Sequence, residues 1–93
     1  MVTGTADIDF ILHDCRTLKE KRSVVKSLIA RTQNSFKISI AEIDFLDLCK
    51  RGRIGFAVVS NDRRYANSVI DKVINFIENL QLVDIIDVNV NLF

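Results

Sequence analysis

The first residues of the chain alternate between apolar and polar side chains. Between Val2 and Leu12 the even positions are apolar or small, and most of the odd positions are threonine or aspartate. A period of two residues is typical of a β-strand with one buried face. We therefore predict a first strand over this segment, with its even positions facing the core.

The period changes to that of a helix at Thr17. This threonine is followed three residues later by Glu20, which is the capping-box pattern of a helix N-terminus. Apolar residues then recur on one helical stripe, namely Leu18, Val24, Val25, Leu28 and Ile29. The pattern predicts a helix that ends near Asn34 or Ser35.

Two further strands are predicted after this helix. Alternation from Lys37 to Phe45 predicts the second strand, and the segment from Leu46 to Gly52 is predicted to connect it to the third. The third strand, Arg53 to Ser60, contains the run IGFAVV. Because this run is apolar on both faces, it is typical of a central strand.

The last third of the chain predicts one more helix and one more strand. Asn61 or Asp62 is a suitable cap for the helix, and its apolar stripe runs from Ala66 to Leu80 at spacings of three and four residues. Residues Val83 to Leu92 alternate again and predict the fourth strand.

The order of elements is β-α-β-β-α-β, which predicts an α+β fold of the ferredoxin-like type. Such a fold has a four-stranded antiparallel sheet in the order 4-1-3-2, with two helices on one face. A chain of 93 residues accommodates one such domain, so we expect a single domain over residues 1–93.

Composition narrows the class of protein further. Hydrophobic residues make up 48% of the chain and charged residues 27%, which is typical of a globular protein, and no apolar run approaches the roughly 18 residues of a membrane span. A cytoplasmic protein without a membrane segment is expected. Cys15 and Cys49 lack the CxxC spacing and are expected to be reduced thiols. Together with His13, these two thiols would supply only three of the four ligands of a structural zinc site. Neither a metal nor another cofactor is therefore predicted.

The net charge is only +1, so the positions of the charges matter more than their sum. In the predicted topology the start of the first helix and the connection between strands two and three lie at the same end of the domain. We call this end the basic pole. Its basic residues are Arg16, Lys19, Lys21, Arg22, Lys50, Arg51 and Arg53, and its acidic residues are Asp14, Glu20, Glu42, Asp44 and Asp47.

The basic residues of the first helix divide into two groups. Lys21 is in line with Val25 and Leu28 on the buried stripe, so we predict a structural ion pair with Glu42. Lys19, Arg22 and Lys26 form a separate outward row at i, i+3 and i+7. Cations beside a helix N-terminus are unfavourable unless an anion binds there. Phosphate or RNA binding is therefore predicted for Arg16, Lys19, Arg22, Lys26, Lys50, Arg51 and Arg53, and a solvated helix face is the alternative.

Three stretches of the chain resemble a known family. They are Thr17-Leu18-Lys19-Glu20-Lys21-Arg22, Ser39-Ile40-Ala41-Glu42 and Val58-Val59-Ser60-Asn61-Asp62-Arg63. Their order and spacing are similar to those of the YlxP-like proteins, a bacterial domain family of unknown function. The resemblance implies a ferredoxin-like fold and genes that neighbour those of translation initiation and ribosome-binding factors. It implies no established activity.

The leading functional hypothesis is a binding module that contacts RNA, or the ribosome, through the phosphate backbone. Stacking of bases on the sheet, as in RNA-recognition-motif domains, is not expected because Phe10 and Phe56 are predicted to lie in the core. One alternative is an acylphosphatase-like enzyme that uses Arg16, although the loop HDCRT has no glycine to bring its backbone close to a phosphate. Another is a small-molecule or oligomerisation module, with a homodimer formed through edge strand four. Binding is favoured over catalysis.

Overall fold

The computed structural model describes the whole chain, from Met1 to Phe93, and confirms the predicted fold class and strand order. The elements follow the order β1 (Val2–Ile11), α1 (Leu18–Phe36), β2 (Ser39–Asp44), β3 (Arg51–Ser60), α2 (Arg63–Leu80) and β4 (Asp84–Leu92). The four strands form one antiparallel sheet in the order β2-β3-β1-β4. Neither helix is long and apolar enough to cross a membrane.

Thr17 is confirmed as the N-cap of α1, but the Glu20 carboxylate bonds to the amide before the cap rather than to the Thr17 amide of a full capping box. The Thr17 hydroxyl accepts a hydrogen bond from the Glu20 amide at 3.1 Å, and the Glu20 carboxylate accepts one from the Arg16 amide at 2.9 Å. The helix ends later than predicted because Lys37 adopts the left-handed conformation, with φ 52°, and donates its amide to the Gln33 carbonyl at 2.8 Å. As a consequence, β2 begins only at Ser39.

The boundaries of the other elements also differ slightly from the predictions. β3 begins at Arg51 rather than Arg53, because Arg51 and Gly52 still pair with Ile11 and Phe10 of β1. Asp62, not Asn61, caps α2, and its carboxylate accepts a hydrogen bond from the Arg64 amide at 2.9 Å.

The core lies between the sheet and the two helices. The second helix contacts β1, β3 and β4, whereas α1 lies beside α2 and toward the edge strand β2. Fully buried large side chains include Ile8, Phe10, Leu28, Ile54, Ile70 and Ile77. The opposite face of the sheet, to which the odd positions of β1 and β3 point, is not covered by a helix.

Candidate functional site

The buried cation of α1 lies at the centre of the basic pole. Lys21 is fully buried, and its Nζ lies 2.7 Å from Oε2 of Glu42. The structure therefore brings the two predicted partners together. The same Nζ donates a hydrogen bond of 2.6 Å to the Phe45 carbonyl. Phe45 has a φ of 60°, and sequence reasoning did not identify it as a partner of Lys21.

Arg51 and Arg53 converge on Asp9 at the open face of the sheet. Arg53 binds Asp9 through two nitrogens, and its Nη2 lies 3.1 Å from Oδ2, while Arg51 Nη2 lies 3.4 Å from the same oxygen. Arg53 Nη1 also lies 3.3 Å from Asp44 Oδ2. Both guanidinium groups lie over the ring of Phe45, at 4.2 Å and 5.1 Å from its centroid. We call these five residues the arginine–aspartate cluster.

The electrostatics of this cluster follow from its hydrogen bonds. The hydrogen bond from Arg53 is the main reason that the pKa of Asp9 lies below its usual value, and the charges of Arg53 and Arg51 lower it further. The same bond raises the pKa of Arg53. Burial of Asp9 opposes the shift because it disfavours the charged carboxylate. The two arginines are thus partly exposed at the open face of the sheet and share one carboxylate, that of Asp9.

Asp9 was missing from the acids that the sequence placed at the basic pole. It lies on the outward face of β1, directly opposite Arg53 of β3. The pair could have been predicted only if the register between β1 and β3 were known, and the sequence does not give this register. The predicted role of Arg51 and Arg53 in phosphate binding therefore has an internal competitor.

The other predicted phosphate-binding residues are free of acidic partners. Arg16, Lys19, Arg22, Lys26 and Lys50 are exposed, and none of them forms an ion pair. Lys19, Arg22 and Lys26 are one helical turn apart on α1, as the periodicity predicted. We call these three residues the α1 cation row.

A groove borders this row on the side of β2. Its polar lining comes from Arg22, Lys26 and Gln33, and its apolar lining includes Val25 and Ile29. Glu42, which pairs with Lys21, also lines the groove. The row therefore lies beside a concave surface.

A larger cleft lies between the loop that follows β1, the start of α1 and the start of β4. Its lining includes His13, Cys15, Lys19 and Asp84. His13 Nε2 lies 3.0 Å from Asp84 Oδ2, and the Cys15 thiol donates to the Thr17 carbonyl at 3.2 Å. No three histidine, cysteine or acidic side chains come together in a geometry that could hold a metal ion.

We expect the Asp9→Asn variant to lose about 1–2 kcal/mol of stability at neutral pH, because two partly exposed guanidinium groups lose a buried carboxylate partner. Since the pKa of folded Asp9 is lowered, its contribution is present above the unfolded value of about 3.9 and disappears as the pH falls through the folded value. Urea unfolding from neutral to acidic pH should therefore give a flatter acid decline for the variant. Parallel declines for variant and wild type would contradict this role.

The fold and these contacts define a class of protein: a two-layer α+β domain with an uncovered sheet face and a row of unpaired cations on one helix. Residues 3–90 match the family described as "Protein of unknown function (DUF503)", and the chain belongs to this family. It is 38% identical over 76 residues to the uncharacterized protein YlxP of Bacillus subtilis (strain 168), across 82% of this chain and 83% of that protein. The resemblance to YlxP-like proteins is thus confirmed.

One solved structure with a similar arrangement is LarC2, the C-terminal domain of a cyclometallase involved in the synthesis of the NPN cofactor of lactate racemase, in its apo form. The TM-score is 0.46 at 13% sequence identity. The match covers all of this chain but only 56% of the length of that one.

Proposed function

We propose that this protein binds RNA through the phosphate backbone, using the α1 cation row and Arg16 as its main contacts. The supporting observation is the contrast between two groups of cations at the same pole. Arg51 and Arg53 are bound to Asp9, whereas Arg16 and the α1 cation row are exposed and form no ion pair. Unpaired cations on one face are the electrostatic footprint of a phosphate-binding protein.

The α1 cation row is well suited to contact a polyanion. It extends for about 10 Å along the helix axis, at 1.5 Å per residue. Lys21, within the same helical turn as Lys19 and Arg22, is anchored in the core by Glu42 and the Phe45 carbonyl. These contacts fix the helical turn that carries Lys19 and Arg22 to the edge of the sheet, so a bound phosphate mainly has to order the outer ends of their side chains.

The seven predicted contacts differ in how available they are to a phosphate. Arg16, Lys19, Arg22 and Lys26 come first, and Lys50 follows because it is exposed on the neighbouring connection. Arg51 and Arg53 come last, because a phosphate would have to compete with Asp9 for them. The side chain of Arg51 remains 44% exposed, so it contributes more than Arg53 does.

Recognition is proposed to depend on the backbone and shape of the RNA rather than on its bases. Phe10 and Phe56 are buried, and Phe36 packs edge-to-face against Phe76 with 5.4 Å between ring centroids. The ring of Phe45 lies beneath two guanidinium groups. No aromatic ring is therefore available beside the cation row for stacking on a base.

The acylphosphatase-like alternative is less well supported. The Arg16 amide already donates to the Glu20 carboxylate, so an internal anion occupies the place that a phosphate would need at this helix start. The loop from Leu12 to Thr17 also contains no residue with positive φ. We propose a cytoplasmic RNA partner, and the gene neighbours implied by the family resemblance favour ribosomal RNA.

The test is the salt dependence of binding to a structured RNA. The Lys19→Gln, Arg22→Gln double variant should bind more weakly than wild type. The slope of log affinity against log salt should fall by about one unit for each phosphate that the variant no longer neutralises. Both side chains are exposed, so the fold should be unchanged. Fluorescence anisotropy over a series of KCl concentrations measures this slope.

The matched control is the Arg63→Gln, Arg64→Gln double variant. These two arginines are also exposed, unpaired and at a helix start, but they belong to α2 at the opposite end of the domain. The control should retain the wild-type slope. If wild type and both double variants had equal salt slopes, or if both variants lowered the slope equally, the α1 cation row would be a solvated helix face and not an RNA-binding site.

A further inference from the structure

The two edges of the sheet differ in how well they are protected against pairing with another chain. β2 has six residues, lies between the left-handed residues Lys37 and Phe45, and is interrupted by a register shift next to Asp44. β4 has nine residues and contains neither proline nor a basic residue. Short edge strands, bulges, lysines and prolines are the usual protection. β4 has only one of these, a register shift near its first residues.

The free backbone groups of β4 can be assigned from its pairing with β1. Thr3 and Phe93 exchange two backbone hydrogen bonds, of 3.0 Å and 2.8 Å. Hydrogen-bonded pairs alternate along an antiparallel ladder, so Asn91 and Asn89 also direct their backbone groups toward β1. The amides and carbonyls of Val88, Val90 and Leu92 therefore point away from the sheet, toward the open edge.

The side chains of this segment are compatible with pairing to an identical strand. Val88, Val90 and Leu92 lie on the helix side of the sheet but are not fully covered, and Val90 is 41% exposed. Asn89 and Asn91 lie on the opposite side and carry no charge. Antiparallel pairing of this segment with the same segment of a second chain would therefore bring no like charges together on either face of the sheet.

We propose that a second copy of this chain pairs with β4 in antiparallel orientation, with the twofold axis at Val90. Val88 would then form a hydrogen-bonded pair with the partner's Leu92, and Val90 with the partner's Val90. Asp87 would lie opposite the partner's Phe93. The two four-stranded sheets become one continuous sheet, and the apolar side chains of both copies cover each other beside the helices.

The position of the axis follows from the irregularity in β4. The register with β1 shifts between Asp87 and Ile85, so Ile86 is an extra residue in the ladder. With the axis at Val90 the paired segment, Val88 to Leu92, stays within the regular part of the strand. An axis at Asn89 would pair Ile86 with the partner's Leu92 and include the irregularity.

Hydrogen exchange tests this pairing in the unmodified protein. At high concentration the amides of Val88, Val90 and Leu92 should be protected, and dilution should make them exchange faster. The amides of Asn89 and Asn91 should be protected at both concentrations because they bond to β1. Fast exchange at the even positions under all conditions, together with a monomer mass in sedimentation equilibrium, would overturn the proposal.

A charge pair tests the twofold axis. In Val90→Lys, two lysines would face each other across the axis, so association should weaken about tenfold or more, and Val90→Glu should behave likewise. An equimolar mixture of the two variants should regain association, because lysine then faces glutamate. Val59→Lys is the matched control, since Val59 is 65% exposed on the central strand β3, and it should associate like wild type. Failure of the mixture to recover would show that the axis is not at Val90.

Discussion

The Glu42→Ala variant should lose about 3–5 kcal/mol of folding stability, because it leaves a fully buried ammonium group without its counter-ion. The Phe45 carbonyl would remain as the hydrogen-bond acceptor of Lys21, but a neutral acceptor offsets only part of the cost of burying a charge. The Glu42 side chain is itself only 14% exposed, so water cannot readily replace its carboxylate. Urea unfolding monitored by circular dichroism would measure the loss.

Two further variants separate the charge effect from loss of packing. Asp44→Ala removes an acid two residues away that contacts Arg53 at 3.3 Å and accepts a hydrogen bond from the Phe45 amide at 2.8 Å. Because its side chain is 52% exposed, the loss should be about 1 kcal/mol. Lys21→Met combined with Glu42→Ala removes both charges and should recover part of the stability that the single variant loses. A loss in Glu42→Ala no larger than that in Asp44→Ala would show that the Lys21–Glu42 pair is not structurally important.

The Gly52→Ala variant should be destabilised by about 2–3 kcal/mol, because its new methyl group would clash with a core aromatic ring. A Cβ atom at this position would lie 2.9 Å and 3.0 Å from two ring carbons of Phe10 and closer still to a third. Phe10 is fully buried and pairs with Gly52 across the two central strands. Since protein cores are closely packed, the ring, the strands or the surrounding core must shift to admit the methyl group.

Gly55→Ala is the matched control for this prediction. Gly55 is in the same strand, but its added Cβ would face the open side of the sheet, 3.0 Å from the end of the Ile43 side chain. Ile43 is 48% exposed and can move, and alanine is favoured over glycine in a strand by roughly 0.5–1 kcal/mol. This variant should be neutral or slightly stabilised in thermal unfolding. Equal melting temperatures for the two variants would contradict the proposed clash.

The elements and the Lys21–Glu42 pair could be predicted because they depend on short-range patterns. Helical periodicity placed Lys21 on the buried stripe of α1, and the alternation of side chains along β2 placed Glu42 on the inner face of the sheet. Both follow from the local geometry of a single element. The topology then brought one end of β2 toward the start of α1. Phe45 was not predicted as a partner, since its role depends on a left-handed backbone conformation that a phenylalanine rarely adopts.

The arginine–aspartate cluster illustrates the limit of the same reasoning. Asp9 has the appearance of an ordinary polar residue on the outer face of a strand, and it lies more than forty residues from Arg51 and Arg53 along the chain. Pairing between strands so far apart depends on register, and a shift of one residue moves each side chain to the opposite face. The sequence therefore predicted phosphate contacts for seven cations, whereas the structure pairs two of them, Arg51 and Arg53, with Asp9 and leaves the α1 cation row exposed.

Sequence by itself determined the order of the elements and the N-cap of α1, because periodicity and capping act over a few residues, and that order of elements indicated the fold class and strand order. Apart from the Lys21–Glu42 pair, only the tertiary structure decided which charges meet. It aligned Asp9 with Arg53, turned the Phe45 carbonyl toward Lys21 and left the α1 cation row without an ion-pair partner. Hydrogen bonds and close ion pairs form only when two side chains come within a few ångströms, and separation along the chain does not determine which side chains come that close.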